Sequence, residues 1–127
     1  MGEPIKDFTE LRVYQTAFES AMDIFQHAKK WPTDEKYSLI SQIRNSSRSI
    51  NANLAEGWRK RRYPGAFVSK LSDADAESAE TRVWLAFANR CGYLPKDEYA
   101  KLNDVYDHVC AQLALMMQHP DKWCIKD

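Results

Sequence analysis

The chain has 127 residues in which 18 Lys and Arg balance 18 Asp and Glu, and its 44% hydrophobic content is enough to fill one core at this length. That leaves no room for a second independent domain, so one domain over residues 1–127 is expected, and zero net charge argues against a uniformly basic nucleic-acid binder. No apolar run approaches the ~20 residues that cross a bilayer, Met1 to Asp7 lacks the basic-then-apolar order of a signal peptide, and the scattered Cys91, Cys110 and Cys124 suit reduced thiols in a cytoplasmic protein.

Prolines at 4, 32, 64, 95 and 120 partition the chain, because proline starts or stops helices and rarely sits inside them. A first helix is expected over 8–30, with Asp7 and Glu10 as a capping box and a seam of Leu11, Tyr14, Phe18, Ala21, Phe25 and Ala28 stepping by three and four. A second is expected over 34–58, capped by Thr33 or Asp34, with a seam of Tyr37, Ile40, Ile43, Ser47, Ile50 and Leu54 and a fraying point at Gly57. The third, over 65–91, carries Phe67, Leu71, Ala74, Ser78, Leu85 and Ala88 and stops at Cys91-Gly92, where glycine permits a left-handed C-cap. The fourth, over 96–119, carries Tyr99, Leu102, Tyr106, Val109, Leu113 and Met116. No alternating strand pattern competes, so the expected fold is all-α, an antiparallel up-down-up-down four-helix bundle.

Two helices are apolar over more than one stripe. Trp84, Phe87 and Cys91 add a line to the third helix, and Cys110, Leu113 and Met117 widen the fourth. Two readings stand: a wide core stripe, or one lidded by the Trp123 tail, and a subunit interface, since exposed apolar patches usually mark association.

Little in the sequence points to catalysis. Di-metal bundles use Glu-x-x-His motifs, and there is none; only Asp23 with His27 and Asp104 with His108 have same-face spacing. There is no Cys-x-x-Cys for zinc, no phosphate-cradling glycine loop, and Cys110 points to a different side of its helix from His108. No metal, cofactor or catalytic residue is therefore expected. Asp73, Asp75, Glu77 and Glu80 could in principle hold a metal or serve acid–base chemistry; without histidines, a solvated or salt-bridged face fits better, with Glu77 and Glu80 paired to Arg44 or Arg48.

Positive charge gathers between residues 44 and 62, where Arg44, Arg48, Arg59, Lys60, Arg61 and Arg62 face only Glu56. Four of these are consecutive at the tip joining the second and third helices, bracketed by Trp58 and Tyr63. Aromatic rings beside cations provide the base stacking and phosphate neutralisation a single strand requires. The competing reading is a solvated loop whose cations complement a helix C-terminus. Just before the tip, Ser46, Ser49, Asn53 and Glu56 form a polar stripe suited to helix packing.

The segments Ser41-Gln42-Ile43-Arg44, Ser49 through Gly57 (Ser-Ile-Asn-Ala-Asn-Leu-Ala-Glu-Gly), and Glu80-Thr81-Arg82-Val83-Trp84-Leu85 leading to Gly92-Tyr93-Leu94 resemble the bacterial four-helix bundle family, also called intervening-sequence 23S rRNA proteins. The opening Phe8-x-x-Leu11-x-Val13-Tyr14 and the Pro32-x-x-Glu35 turn fit as well. Asn51 stands where many relatives carry proline, and Ser46-Ser47 where they often carry alanine. The resemblance implies a subunit that closes into a ring, a pentamer, without catalytic residues. It also implies a distant similarity to the accessory variability proteins of diversity-generating retroelements, whose partners are nucleic acid and a reverse transcriptase. The expectation is therefore a non-enzymatic cytoplasmic homo-oligomer that contacts RNA or single-stranded DNA through its basic tip; the alternative is a protein scaffold with no nucleic-acid role.

Overall fold

The computed structural model describes residues 4–126, so the first three residues of the N-terminal stretch read above lie outside the described residues. Four long helices, α1 (Arg12–Ala28), α2 (Leu39–Arg59), α3 (Pro64–Arg90) and α4 (Lys96–Gln118), are followed by one short turn of helix, α5 (Pro120–Trp123). There is no strand among the described residues. α2 packs against α3, α3 against α4, and α1 against both α2 and α4, around one cluster of buried side chains drawn from all four.

The helix starts differ from expectation for local reasons. Asp7 and Glu10 do form a capping box, but on a 3-10 turn, Phe8–Glu10, and Leu11 then adopts an extended conformation before α1 begins. α2 begins at Leu39 rather than near 34, and neither Thr33 nor Asp34 caps it. Instead Pro32 leads into a 3-10 turn, Thr33–Glu35, and the Glu35 carboxylate accepts hydrogen bonds from the Ser38 hydroxyl (2.5 Å) and the Tyr93 phenol (3.0 Å). Side chains engaged in this way compete with helix propagation. Tyr37, placed on the α2 seam by its spacing, thus precedes the helix and is 86% exposed.

The seams of α2, α3 and α4 are otherwise buried as spaced, except that Tyr99 is half-buried against the core; α3 adds Thr81. α1 is rotated. Its buried positions are Val13, Ala17, Ser20, Ile24 and Ala28, whereas Phe18 is exposed and Tyr14, Ala21 and Phe25 are half-buried. Both stripes repeat every three or four residues, one residue apart, so spacing does not choose between them. The buried stripe holds the small residues Ala17, Ser20 and Ala28, and the aromatics Tyr14, Phe18 and Phe25 lie at its margin.

Two glycines carry specific geometry. Gly92 has φ +83, and the Tyr93 N–H bonds to Ala88 O (2.9 Å) while the Gly92 N–H bonds to Asn89 O (3.0 Å), which together close α3 as a Schellman motif. Gly57 is not a fraying point. It is buried inside α2, and a Cβ there would lie 3.2 Å from the Lys70 Cβ, so it marks where α2 and α3 approach closely.

Cross-helix partners fix the register. Asn51 Nδ2 donates to Tyr14 O (3.0 Å) and Arg44 lies over Phe25; Thr81 Oγ1 donates to Ser46 Oγ (2.9 Å) and Gly57 faces Lys70; Ser78 Oγ donates to Tyr106 O (3.2 Å) and Arg82 Nε to Asn103 Oδ1 (3.0 Å). The Tyr106 hydroxyl is buried and has no protein hydrogen-bond partner. No helix is long and apolar enough to cross a membrane among the described residues.

Candidate functional site

The basic tip is built by the end of α2 and the forced restart of α3. Lys60 closes α2 with its N–H on Gly57 O, Tyr63 turns back onto Lys60 O, and Pro64 opens α3 where its missing N–H costs nothing. Arg59, Lys60 and Arg62 are exposed on this turn, and Tyr63 is 64% exposed.

Trp58 is not available for base stacking. It is 4% exposed, and Arg61 covers it, with the guanidinium carbon 3.6 Å from the ring centroid and Nε donating to Trp58 O at 2.8 Å. Partial burial lowers the Arg61 pKa, an effect that the nearby Cys124 opposes. Of the two expected stacking aromatics, only Tyr63 presents a free ring face.

Tertiary packing adds cations that the contiguous run did not reveal. Lys70, one α3 turn beyond Phe67, joins Arg59, Lys60, Phe8, Ala55 and Glu56 around a shallow cavity of about 320 Å³. Its Nζ lies 2.9 Å from the Glu56 carboxylate, which raises the lysine pKa and lowers that of the glutamate. The C-terminal tail returns to the same turn, where the Ile125 N–H donates to Arg61 O (3.1 Å), while Lys122 lines a separate groove with Leu11, Val13 and Met116. Only the close α2/α3 approach at Gly57 and the fold of the tail could reveal these neighbours.

Arg44 and Arg48 lie elsewhere. Arg44 sits with its guanidinium carbon 5.2 Å from the Phe25 ring centroid, and its Nε is buried without a hydrogen-bond partner. Arg48 lines a groove between α1 and α2 with Phe18, Ala21, Met22, Phe25 and Asn51. Both therefore belong to the α1 side of the molecule rather than to the tip. Neither makes the expected ion pair with Glu77 or Glu80. Glu77 is instead partly buried, which together with Glu80 and Asp73 raises its pKa, and Glu80 accepts from Trp84 Nε1 at 3.3 Å.

The two apolar lines divide. On α3, Trp84 is half-buried, Phe87 is 54% exposed with its ring centroid 5.9 Å from that of Trp84, and Cys91 is exposed. On α4, Leu113 is fully buried in the core and is removed from any interface, while Cys110 and Met117 are half-buried, and burial pushes the Cys110 thiol pKa up.

The polar stripe faces α3. Ser46 accepts from Thr81, Asn53 Nδ2 donates to Ser49 O (2.9 Å), and Glu56 holds Lys70. His27 approaches Glu98 (3.5 Å) rather than Asp23, and His108 approaches Asp104 (3.6 Å). No group of three or more His, Cys, Asp or Glu is arranged to hold a metal ion among the described residues.

These features define an all-α helical protein with one cationic end and exposed aromatic side chains on its flanks. Residues 9–114 match the family model described as 23S rRNA-intervening sequence protein, and the chain belongs to that family. It is also similar to a protein of unknown function from the S23 ribosomal protein family of Bacteroides thetaiotaomicron VPI-5482, whose crystal structure at 1.70 Å superimposes with a TM-score of 0.75 at 26% identity, covering 84% of this chain and 98% of that one. No curated protein matches this chain.

Proposed function

We propose that this chain is a non-catalytic, cytoplasmic, up-down-up-down bundle subunit that associates with itself and contacts RNA or single-stranded DNA at the α2/α3 end, as an accessory to a larger complex. The register of cross-helix pairs supports the topology: along α1 and α2, Tyr14 meets Asn51 while Phe25 meets Arg44, and the α2/α3 and α3/α4 pairs also run in opposite senses. The observation that carries the nucleic-acid reading is the convergence of Arg59, Lys60 and Lys70 on one depression beside Arg62 and the exposed Tyr63. The family name, which ties its members to intervening sequences of 23S rRNA, supports an RNA context. A ring of five copies and a reverse-transcriptase-like partner belong to this proposal through family resemblance.

Fluorescence anisotropy with a single-stranded RNA tests it. The native protein is expected to bind with a log–log salt slope of about −0.7 per phosphate contact, and alanine at Arg59, Lys60, Arg61 and Arg62 together to abolish binding. Absence of binding by the native protein overturns the nucleic-acid reading. It would favour the second reading, a protein-binding scaffold, for which the burial of Trp58 and the exposed Phe87 speak.

A further inference from the structure

A second concave surface lies where α1 begins and α4 finishes. Leu11, Val13 and Met116 are buried and form its floor, while Trp123 of α5 is half-buried and Leu115 of α4 is 60% exposed at its edge. Its volume of about 400 Å³ falls within the ~300–1,000 Å³ range of small-molecule sites. α5, which closes one side, is held in place: the Lys122 N–H donates to His119 O (3.0 Å), the Cys124 N–H to Pro120 O (2.8 Å), and the Ile125 N–H ties the tail to Arg61 O (3.1 Å). A groove built in advance spares a ligand the cost of ordering its walls.

Charge is distributed unevenly around this groove. Arg12, His119 and Lys122 are exposed on its rim, and no Asp or Glu lines it among the described residues. The remaining lining side chain is Gln112, whose Oε1 is buried without a protein hydrogen-bond partner. An acceptor left in that condition carries its full desolvation cost, and an N–H brought to it recovers the bond.

We infer that this groove binds an amphipathic carboxylate of the N-acyl amino acid class: the acyl chain lies on the Leu11, Val13, Met116 and Trp123 surface, the carboxylate meets Arg12 and Lys122, and the amide N–H between them donates to Gln112, whose side chain turns to receive it. A wholly apolar ligand would leave the cationic rim unused, and a bare phosphate would leave the apolar floor in water. A molecule joining an apolar body, a donor and an anion is the one that this lining complements. The groove shares no residue with the depression at the α2/α3 tip, so the inference stands apart from the nucleic-acid reading.

Isothermal titration calorimetry of the full chain with N-octanoylglycine tests the inference. The native protein is expected to saturate at one ligand per chain. Arg12→Ala and Lys122→Ala each weaken binding roughly tenfold, because each removes a charge-assisted contact. The methyl ester of the ligand, which lacks the charge, binds more weakly by a similar factor and is insensitive to those two substitutions. Octanoyloxyacetate carries an ester oxygen in place of the N–H; it is expected to bind the native protein about fivefold more weakly and to match N-octanoylglycine on Gln112→Met. Leu115→Glu sets a carboxylate at the exposed edge and is expected to abolish binding while circular dichroism stays native. Absence of binding by the native protein overturns the inference. So does binding that Arg12→Ala, Lys122→Ala and Leu115→Glu leave unchanged, or equal affinity of the native protein for the amide and the octanoyloxyacetate ester.

Discussion

Arg61 covers Trp58: its guanidinium lies 3.6 Å from the ring centroid and its Nε is bonded to the same residue's carbonyl, so a side chain that belongs to the basic tip also seals the core. The four consecutive cations are therefore not equivalent. Arg61 is held in place, while Arg59 and Lys60 stand beside Lys70 at an open depression.

This inequality separates stability from binding. Trp58→Ala is expected to cost about 3–5 kcal/mol, as for other buried aromatics, and Arg61→Ala about 1 kcal/mol through the lost cation–π contact, both measured by urea denaturation. Arg59→Ala and Lys60→Ala are expected to change stability by less than about 0.5 kcal/mol, while each lowers the salt slope of RNA binding by about 0.7. A reversed pattern, with Arg59→Ala destabilising and Arg61→Ala silent, would contradict the geometry.

Gly57 and Gly65 offer a paired test of helix approach. A Cβ at Gly57 would stand 3.2 Å from the Lys70 Cβ, whereas one at Gly65 would meet nothing within 4 Å. Gly57→Val is expected to destabilise by about 1–3 kcal/mol through overpacking, and Gly65→Ala to be neutral or to stabilise by up to about 1 kcal/mol through helix propensity. Thermal melting of the two variants distinguishes these effects.

The Tyr106 hydroxyl is buried without a protein partner, and desolvation pushes its pKa strongly upward. Removing a polar atom in that position while keeping the ring's shape is nearly neutral or stabilising. Tyr106→Phe is expected to match the native unfolding free energy in urea or exceed it by up to about 1 kcal/mol. A loss of more than that would reveal a bond to this hydroxyl.

Glu35 and Tyr93 predict a two-sided pH dependence. Hydrogen bonds from Ser38 and then Tyr93 hold the Glu35 carboxyl below its ordinary value, so its contribution is present at neutral pH and is lost as pH falls through that lowered pKa. The same contact, with desolvation, pushes the Tyr93 phenol up to about 12 from 10.0, so its contribution is full below pH 10.0 and is lost as pH rises toward 12. Tyr93→Phe is expected to reduce the alkaline fall in melting temperature between those values, leaving the share that the raised Tyr106 phenol contributes, and to shallow the acid one. An unchanged alkaline profile would mean that this bond does not tie the two helix connections together in solution.

Periodicity made most of the fold legible. The seams of α3 and α4 and most of α2 are buried as their spacing indicates, and Gly92 terminates α3 because its backbone conformation disfavours other residues. The α1 face was not legible. Two stripes with the same period lay side by side, and which of them is buried depends on the surfaces that α2 and α4 present, a property of the partner helices rather than of α1.

What the sequence by itself determined was the four long helices, most of their ends and the presence of a cationic turn, all of which follow from the local steric demands of proline and glycine and from helical repeat. The tertiary structure decided which of these residues can meet anything else. Burial withdrew Trp58 and Leu113 from the surface; the turn at Glu35 delayed α2; the α2/α3 approach at Gly57 carried Lys70 to the tip; and the rotation of α1 set Phe18 and Phe25 beside Arg48 rather than in the core. The physical reason is that exposure and cross-helix charge depend on residues distant in the chain, whose proximity is created only when the helices pack.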